Sequence, residues 1–233
     1  MQSSNLLLAS LSQSDNDLLQ PKLKKIHLEQ KHVLFGTGDA IHAVYFPLTA
    51  IVSLVVELST GEMVEAAMVG RDGVIGGATA LDGRISLSRA IVQLSGDAMA
   101  IDVASIKAAA LQSETLLSIL IRHEQTVYAQ AQQSAACMAM HHVEARLCRW
   151  MLRARDLSGT DTLMFTQEFL AEMLGVRRTS VSLVAHTLQE AGMIKYSRGR
   201  IEILNIEGMR ETACECYETV KSHYAALLGA HKV

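Results

Sequence analysis

The sequence predicts an α+β protein in which a strand-rich N-terminal half precedes one long helix and a small helical domain with a β-hairpin. Three observations lead to this prediction. Short β-branched segments separated by glycines fill residues 22–101, a stretch without Gly or Pro covers residues 114–138, and two short helical patterns flank a glycine at position 175. The 233 residues, 49% hydrophobic and 19% charged, are enough for two domains.

The composition excludes several classes of protein. A disordered chain, a collagen-like chain and a disulfide scaffold would each need a different balance of apolar, glycine and cysteine residues. No apolar run approaches the roughly 18 residues of a membrane span, and the start lacks the basic leader of a secretory signal. We therefore expect a cytoplasmic protein without a membrane partner.

The N-terminal half begins with residues 1–20, a polar segment that we expect to be a flexible leader. Residues 21–113 then form the predicted β domain, with a hairpin connection at residues 59–62. The predicted strands are Val44–Phe46, Ile51–Leu58, Met63–Val69, Ala90–Leu94 and Ala98–Ile101. Short strands at this spacing are typical of a sandwich or barrel.

A long helix is predicted over residues 114–138. Apolar residues recur along it at alternating spacings of about three and four, a coiled-coil pattern that Glu124 interrupts. About 25 helical residues would extend about 37 Å, too far for one small barrel to bury. The helix therefore either meets a second copy of itself or packs on its own domain. The predicted dimer residues are Leu117, Ile121, Tyr128, Ala131 and Ala135.

Residues 139–233 are predicted to form a domain that contains a helix-turn-helix. Thr166 is suited to cap a short helix that ends at Gly175, where the sharp turn needs a glycine. The second helix begins at Arg177 or Arg178 and runs to Ala191. Beyond it, residues 194–203 alternate like two strands around a basic turn, which is typical of a wing.

The residue types on these elements favour contacts with double-stranded DNA. Residues 141–200 hold nine basic and six acidic residues within a chain of net charge −3. Arginine can bond guanine or phosphate, and hydroxyls can bond phosphate or either base type. A solvated surface hairpin is the alternative for the wing. The predicted DNA-binding residues are Thr166, Gln167, Arg177, Arg178, Thr179, Ser180, Ser182, Arg198 and Arg200.

At these residues the sequence resembles the Crp/Fnr family of bacterial transcription regulators. The strongest similarity lies in residues 167–203, which contain the Gln-Glu, Leu-Gly-Val and Arg-Thr-Ser-Val segments. The order of the domains agrees as well. The resemblance implies an N-terminal cyclic-nucleotide-binding-like β-roll, a long dimerisation helix and a C-terminal winged helix-turn-helix, with RNA polymerase as a further partner.

This sequence departs from the family pattern at several positions. Arg178 keeps the base-reading arginine, whereas Thr179 replaces a glutamate and Leu183 a later arginine. In the sensory half, glycine stands where cyclic-AMP-binding members have a ribose-binding glutamate, so we do not expect cyclic AMP to be the effector. The residues that would line an effector pocket are Gly76, Gly77 and Arg89.

Other cofactors of the family are not expected either. The first cysteine is Cys137, so the N-terminal ligands of an iron–sulfur cluster are missing. A haem would need an axial histidine, and the candidates, His27, His32, His42 and His123, have no supporting spacing. Cys214 and Cys216 are predicted to lie on one terminal helix with their thiols about 200° apart, which argues against a metal site.

We do not expect an enzyme, because no catalytic motif is present. The leading hypothesis is a homodimeric, sequence-specific transcription regulator that senses a signal through its N-terminal domain. The alternative is a small-molecule or haem sensor whose winged helix binds protein. The effector, the operator sequence and the direction of regulation do not follow from the sequence.

Overall fold

The computed structural model describes residues 5–81 and 85–229, which divide into two compact units. The N-terminal unit comprises the residues up to Leu54, then Met68–Ala129, and those from His223 on. The C-terminal unit comprises Val55–Ala67 and Gln130–Ser222. The division thus falls within the long helix, about ten residues before the predicted boundary, because the end of that helix packs among C-terminal residues such as Cys214.

The prediction of a flexible leader is wrong for the residues described. Leu6–Ala9 forms α1 and Gln13–Leu19 forms α2. The side chain of Asn5 caps α1 and donates hydrogen bonds to the carbonyl oxygens of Pro47 (2.8 Å) and Gly73 (2.9 Å). Leucines of both helices are buried, so apolar contacts order this segment. Residues 1–4 lie outside the described residues.

Seven strands of the N-terminal half form two sheets. One has the strand order β1-β7-β3 and the other β2-β6-β4-β5. The strands are β1 Lys24–Leu28, β2 Val33–Phe35, β3 Ala43–Pro47, β4 Ile51–Glu57, β5 Met63–Val69, β6 Arg89–Leu94 and β7 Gly96–Asp102. Leu28 and Ala98 of the first sheet share a core with Phe35, Val52 and Val92 of the second. This arrangement of the strands confirms the predicted β-roll.

Two helices follow the β-roll, α3 at Val103–Gln112 and α4 at Glu114–Met140. The prediction of a long helix over residues 114–138 is confirmed. Near its start, Thr115 and Ser113 donate hydrogen bonds to the buried carboxylate of Asp15 in α2. Among the described residues no single helix has the length and apolar character of a membrane span, although α3 and α4 pass that test together across a bend of 118°.

The C-terminal unit is built around α5, whose Trp150 is buried. The Trp150 ring packs edge-on against Phe165, and its Nε1–H donates a hydrogen bond of 2.9 Å to Glu65 in β5. The elements are α5 Val143–Ser158, β8 Thr162–Met164, α6 Gln167–Leu174, α7 Arg178–Glu190, β9 Ile194–Ser197, β10 Arg200–Ile203, α8 Ile206–Thr212 and α9 Cys216–Gly229.

The C-terminal segment differs from the single terminal helix that was predicted. Helix α8 ends at Thr212 and α9 begins at Cys216, so Cys214 lies within a break in the helix and Cys216 is the first residue after it. The physical reason is local, because Ala213 has an extended backbone (φ −66°, ψ 149°) that ends the helical hydrogen-bonding pattern. The angle of about 200° between the thiols, which assumed one continuous helix, is therefore wrong.

Candidate nucleic-acid interface

Helices α6 and α7 form a helix-turn-helix whose ends are fixed by local interactions. The Thr166 hydroxyl accepts a hydrogen bond from the Phe169 N–H at 3.2 Å, which confirms Thr166 as the N-cap of α6. Gly175 ends α6 in the left-handed conformation, with a φ of 60°. Val181 and Leu188 of α7 are buried, and α7 begins at Arg178. The chain therefore turns sharply and exposes the start of α7.

The exposed start of α7 carries positive charge and hydroxyl groups. Arg177, Arg178 and Thr179 are exposed, and the first turn contains no acidic residue. The free N–H groups and the dipole of a helix N-terminus also favour an anion at this end. Leu183 lies on the same helix with 67% of its surface exposed, an apolar group among polar neighbours. This face can bond phosphates and base edges.

Two of the predicted DNA-binding residues bond each other. The Ser182 hydroxyl donates to Gln167 Oε1 at 2.5 Å and lies 3.1 Å from the carbonyl oxygen of Arg178. Ser180 and Ser182 are only half-exposed. The Ser182 hydroxyl thus braces α7 against α6, which leaves the amide N–H groups of Gln167 as the donors that this pair can offer to a ligand.

The predicted wing is the hairpin of β9 and β10, in which Arg200 pairs with Ser197. Arg198 and Gly199 form its turn, both with positive φ (50° and 79°), and the Arg198 and Arg200 side chains are exposed. Strand β8, which was not predicted from the sequence, pairs with β10 and extends the hairpin to a three-stranded sheet.

Tyr196 attaches the wing to the helix-turn-helix. Its backbone N–H donates to Gln189 Oε1 at 2.9 Å, and its hydroxyl donates to the carbonyl oxygen of Phe165 at 3.3 Å. Burial is the main reason that the pKa of Tyr196 is raised, so the phenol keeps the proton that it donates. The basic tip of the wing is thereby fixed relative to the start of α7.

Three arginines of α5 do not contribute to the exposed positive charge. Arg146, Arg149 and Arg153 are only 7%, 6% and 6% exposed, although residues 141–200 were predicted to offer a basic surface. Arg146 donates a hydrogen bond to the carbonyl oxygen of Leu174, at the end of α6. The basic surface is therefore narrower than the charge count suggests, and it is concentrated on α7 and the wing.

The predicted effector-pocket residues lie in two elements of the N-terminal unit. Gly76 and Gly77 follow β5, and Arg89 begins β6. A Cβ atom at Gly77 would lie 3.0 Å from Oε1 of Glu124 and 3.1 Å from Cγ1 of Val74, so α4 leaves little room for a side chain at this position. Gly76 has a φ of 80°, which also favours glycine.

The four histidines that were candidates for haem ligation have different surroundings. His123 is fully buried, and its Nε2 accepts a hydrogen bond from the Val74 N–H at 3.1 Å. His27 is exposed and pairs with Asp97 at 3.0 Å. His32 and His42 are exposed. His123 therefore has a structural hydrogen bond within the core of the N-terminal unit.

The predicted dimer residues lie along the exposed side of α4. Ile121 and Tyr128 are 40% and 67% exposed, Ala135 is exposed, and Leu117 and Ala131 are half-buried. Exposed positions follow a seven-residue repeat, at Ser118, Ile121, Gln125, Tyr128, Gln132, Ala135 and Ala139. Leu116, Leu120 and Cys137 of the same helix are buried. The pattern thus separates a face buried in the chain from a face open to a partner.

A cluster of cysteines and one histidine was not predicted as a site. The ligand atoms of Cys137, His141, Cys214 and Cys216 lie within 4.8 Å of one another, all in the C-terminal unit. The sequence contained one unused signal, since Cys137 and His141 are four residues apart and so share one side of a helix.

Comparison with known proteins identifies the C-terminal domain. Residues 145–212 match the model of the Crp-like helix-turn-helix domain. This chain carries a Crp-like helix-turn-helix domain. The domain includes α5, α6, α7 and the wing, that is, the elements described above. No curated protein matches the chain.

Solved structures show that the fold continues through the N-terminal half. FixK2 from Bradyrhizobium japonicum is 15% identical, with a TM-score of 0.70 over 82% of this chain and 98% of that one. A CRP/FNR-family regulator from Thermus thermophilus is 21% identical, with a TM-score of 0.66 over 82% and 98%. The c-di-GMP-responsive global regulator CLP from Xanthomonas campestris is 13% identical, with a TM-score of 0.65 over 82% and 99%.

Together these comparisons confirm the resemblance that residues 167–203 indicated. The chain has the fold of Crp/Fnr transcription regulators, with a β-roll, a long helix and a Crp-like helix-turn-helix domain.

Proposed function

We propose that this protein is a homodimeric transcription regulator that binds double-stranded DNA at specific sequences. The observation that supports this most directly is the start of α7, where Arg177, Arg178 and Thr179 are exposed without an acidic neighbour in the first turn. The exposed arginines of the wing, Arg198 and Arg200, extend the same positive surface. Such a surface attracts the phosphate backbone and presents donors to base edges.

Each residue has a role that follows from its position. Helix α7 enters the major groove, where Arg178 donates two hydrogen bonds to guanine and Leu183 contacts a thymine methyl group. Arg198 and Arg200 bond phosphates beside the groove. The other predicted DNA-binding residues contact phosphates or adjacent bases. These are Thr166, Gln167, Arg177, Thr179, Ser180 and Ser182.

The exposed face of α4 forms the dimer interface in this proposal. Ile121, Tyr128 and Ala135 recur at coiled-coil spacing on that face and would bury apolar surface against a second copy. A two-fold dimer places its recognition helices in successive major grooves, about 34 Å apart. The operator is therefore an inverted repeat with half-site centres one helical turn apart.

The N-terminal unit senses a signal whose chemistry is not that of cyclic AMP. Gly77 supports this part of the proposal, since a glycine cannot itself supply the ribose-binding carboxylate that cyclic-AMP-binding members have at this position. RNA polymerase is the proposed downstream partner. Calorimetric titration with cyclic AMP should show no saturable binding in the micromolar range, and saturation there would contradict the proposal.

Selection of DNA from a random duplex pool, with the full-length protein, tests the proposed function. We expect an enriched inverted repeat, and fluorescence anisotropy should then show that the Arg177→Ala/Arg178→Ala variant binds it more weakly and distinguishes it less well from random duplex. The control is Lys107→Ala in α3 of the N-terminal unit. It also removes a basic side chain, but away from the proposed DNA-binding surface, so binding should not change. Failure to enrich any sequence would favour the alternative, in which the winged helix binds protein.

A further inference from the structure

A cluster of three thiols and one imidazole lies where the end of α4 meets the segment between α8 and α9. Cys137 is in the last turn of α4 and His141 follows its end. Cys214 lies in the break between α8 and α9, and Cys216 is the first residue of α9. The Cys137 and Cys214 sulfurs are 3.5 Å apart, and the Cys216 sulfur is 3.6 Å from Nδ1 of His141. All four ligand atoms lie within 4.8 Å of one another.

The two distances of 3.5 and 3.6 Å are close to the edge length of a small tetrahedron. A metal ion with bonds of about 2.3 Å to sulfur has ligands about 3.7 Å apart when the geometry is tetrahedral. A sulfur–sulfur bond is about 2.05 Å long, so the Cys137 and Cys214 thiols are not a disulfide, and all four cysteines of the chain are free. The spacing therefore suits one ion held by four protein ligands.

Neighbouring side chains hold these ligands as a metal site requires. Nε2 of His141 lies 3.2 Å from the carboxylate of Glu215, and a proton on that nitrogen leaves the lone pair of Nδ1 directed at the thiols. The Gln133 amide donates a hydrogen bond of 3.0 Å to the Cys216 sulfur. A carboxylate behind the histidine and an N–H on a thiolate are arrangements that fix and tune metal ligands.

The charges around the cluster also suit a bound metal ion. Three thiolates and a divalent cation together carry one negative charge, and the guanidinium groups of Arg146 and Arg149 act electrostatically on Cys137. Both arginines are more than nine-tenths buried, where a positive charge needs a compensating anion. A metal-loaded cluster would place one negative charge near these two arginines.

We propose that Cys137, His141, Cys214 and Cys216 bind one zinc ion in a closed tetrahedral site. Three thiolates and one imidazole form a donor set that suits zinc, and four protein ligands leave no position open for substrate. The site is therefore structural. It joins the end of α4 to the α8–α9 junction, so the binding free energy of the metal stabilises the folded C-terminal unit.

Cobalt titration of the full-length chain tests this proposal, because tetrahedral Co²⁺ reports its ligands by absorption. After treatment with a chelator under reducing, oxygen-free conditions, we expect uptake of one Co²⁺ per chain with tetrahedral ligand-field bands and a thiolate-to-metal charge-transfer band. One equivalent of Zn²⁺ should displace it. Elemental analysis of the protein as purified should find one zinc per chain.

Variants identify the ligands. Loss of any one ligand should abolish tight cobalt binding and its absorption spectrum. The four variants are Cys137→Ser, Cys214→Ser, Cys216→Ser and His141→Asn. Matched controls, Cys148→Ser at the fourth cysteine and His142→Asn at the adjacent exposed histidine, should keep it. Should a ligand variant fail to fold, Glu215→Gln still tests the site, because Glu215 is 74% exposed and its loss should weaken cobalt binding by about 10- to 100-fold.

Several results would overturn the proposal. These are no stoichiometric cobalt uptake by the reduced chain, a spectrum without the thiolate charge-transfer band, and tight binding that survives all three cysteine variants. Iron with acid-labile sulfide would show an iron–sulfur cluster in place of zinc. A Cys137–Cys214 disulfide in metal-free protein from cells would show that these thiols are oxidised and do not bind zinc. None of these readouts uses DNA, so they are independent of the proposed regulatory function.

Discussion

At the scale of single residues, the arginines of the C-terminal domain divide by exposure into two groups with different roles. Arg178 and Arg198 are exposed on α7 and on the wing, whereas Arg146 and Arg149 of α5 are buried. An exposed guanidinium can exchange water for a base or a phosphate at little cost, but a buried one is already committed to protein partners. Only the exposed group can therefore read DNA.

We predict that Arg178→Ala and Arg198→Ala weaken DNA binding in different ways. Arg178→Ala should cost about 1 to 3 kcal/mol on the operator and flatten discrimination at one position of each half-site, because a base contact is lost. Arg198→Ala should weaken all sequences alike and reduce the salt slope by about one, because a phosphate contact is lost. Anisotropy titrations at several salt concentrations measure both effects.

An equal loss on operator and random duplex for Arg178→Ala would contradict its base-reading role. Thr179 would then be the more suitable reader, because it is exposed beside Arg178, whereas the Ser182 hydroxyl already donates to Gln167.

A second residue-scale property is the acidity of Asp15, whose carboxylate joins α2 to the start of α4. Burial raises its pKa, but hydrogen bonds from Ser113, Ser12 and Thr115 outweigh burial and leave the pKa below its ordinary value of 3.8. Because the folded pKa is the lower one, the stabilisation is complete above pH 3.8. It is lost as the pH falls through the folded value.

We predict that Asp15→Asn lowers the free energy of unfolding at pH 7 and weakens its decline at acid pH. The amide offers one acceptor oxygen in place of two charged ones, so the hydroxyl bonds weaken. Urea titrations at a series of pH values between 3 and 7 measure the difference. Asp17→Asn, on the same helix but more exposed, is the control. Parallel pH profiles for Asp15→Asn and the unchanged protein would contradict the assignment.

At the scale of elements, the turn between α6 and α7 has two constraints that act on the same glycine. Gly175 adopts a φ of 60°, and a Cβ atom there would lie 3.1 Å from Cγ2 of Val64. Gly192, just after α7, has a similar φ of 67°, but a Cβ atom at Gly192 would have no neighbour within 4 Å. Alanine substitutions at Gly175 and Gly192 therefore share the cost of backbone strain, and only the one at Gly175 adds a steric contact.

We predict that Gly175→Ala destabilises the protein more than Gly192→Ala does. Both variants incur the cost of about 1 to 2 kcal/mol for an L-residue in the left-handed region, and only Gly175→Ala adds the contact with Val64. Urea unfolding gives both free energies. Equal losses would show that Val64 moves aside without cost.

At the scale of the whole molecule, the exposed face of α4 is the proposed dimer interface. A helix of 27 residues is about 40 Å long, and its outward positions alternate at spacings of three and four. Ile121 and Tyr128 would remain in water in a single copy of the chain, which is unfavourable for apolar surface. A dimer through this face also gives DNA binding the two-fold symmetry of the proposed operator.

We predict that Ile121→Glu converts the protein to a monomer. A charge in a dry seam is expensive to bury, whereas the 40% exposure of Ile121 lets glutamate remain solvated in a single chain. Sedimentation velocity measures the mass, and circular dichroism checks the fold. Leu111→Glu, the same change at a 77% exposed leucine of α3, should leave the dimer intact. An unchanged dimer for Ile121→Glu would place the interface elsewhere.

The local features of the fold could be predicted from the sequence because their causes lie within a few residues. The N-cap at Thr166, the left-handed Gly175 and the start of α7 at Arg178 depend on neighbouring side chains and backbone conformation. The strands β4 and β5 and the helix α4 follow from hydrophobic periods of two and of about 3.5. The exposed arginines of α7 and the wing follow from the same patterns.

Only the tertiary structure decided which distant residues meet. Cys137 and Cys214 are 77 positions apart, and Trp150 and Glu65 are 85 apart, so no local pattern records either contact. The burial of Arg146 and Arg149 was hidden for the same reason, since a basic residue on an amphipathic helix normally faces water. The sequence by itself determined β4, β5, α4 and the helix-turn-helix with its exposed arginines, because their causes are local. The packing of the end of α4 against the segment between α8 and α9 determined the thiol cluster.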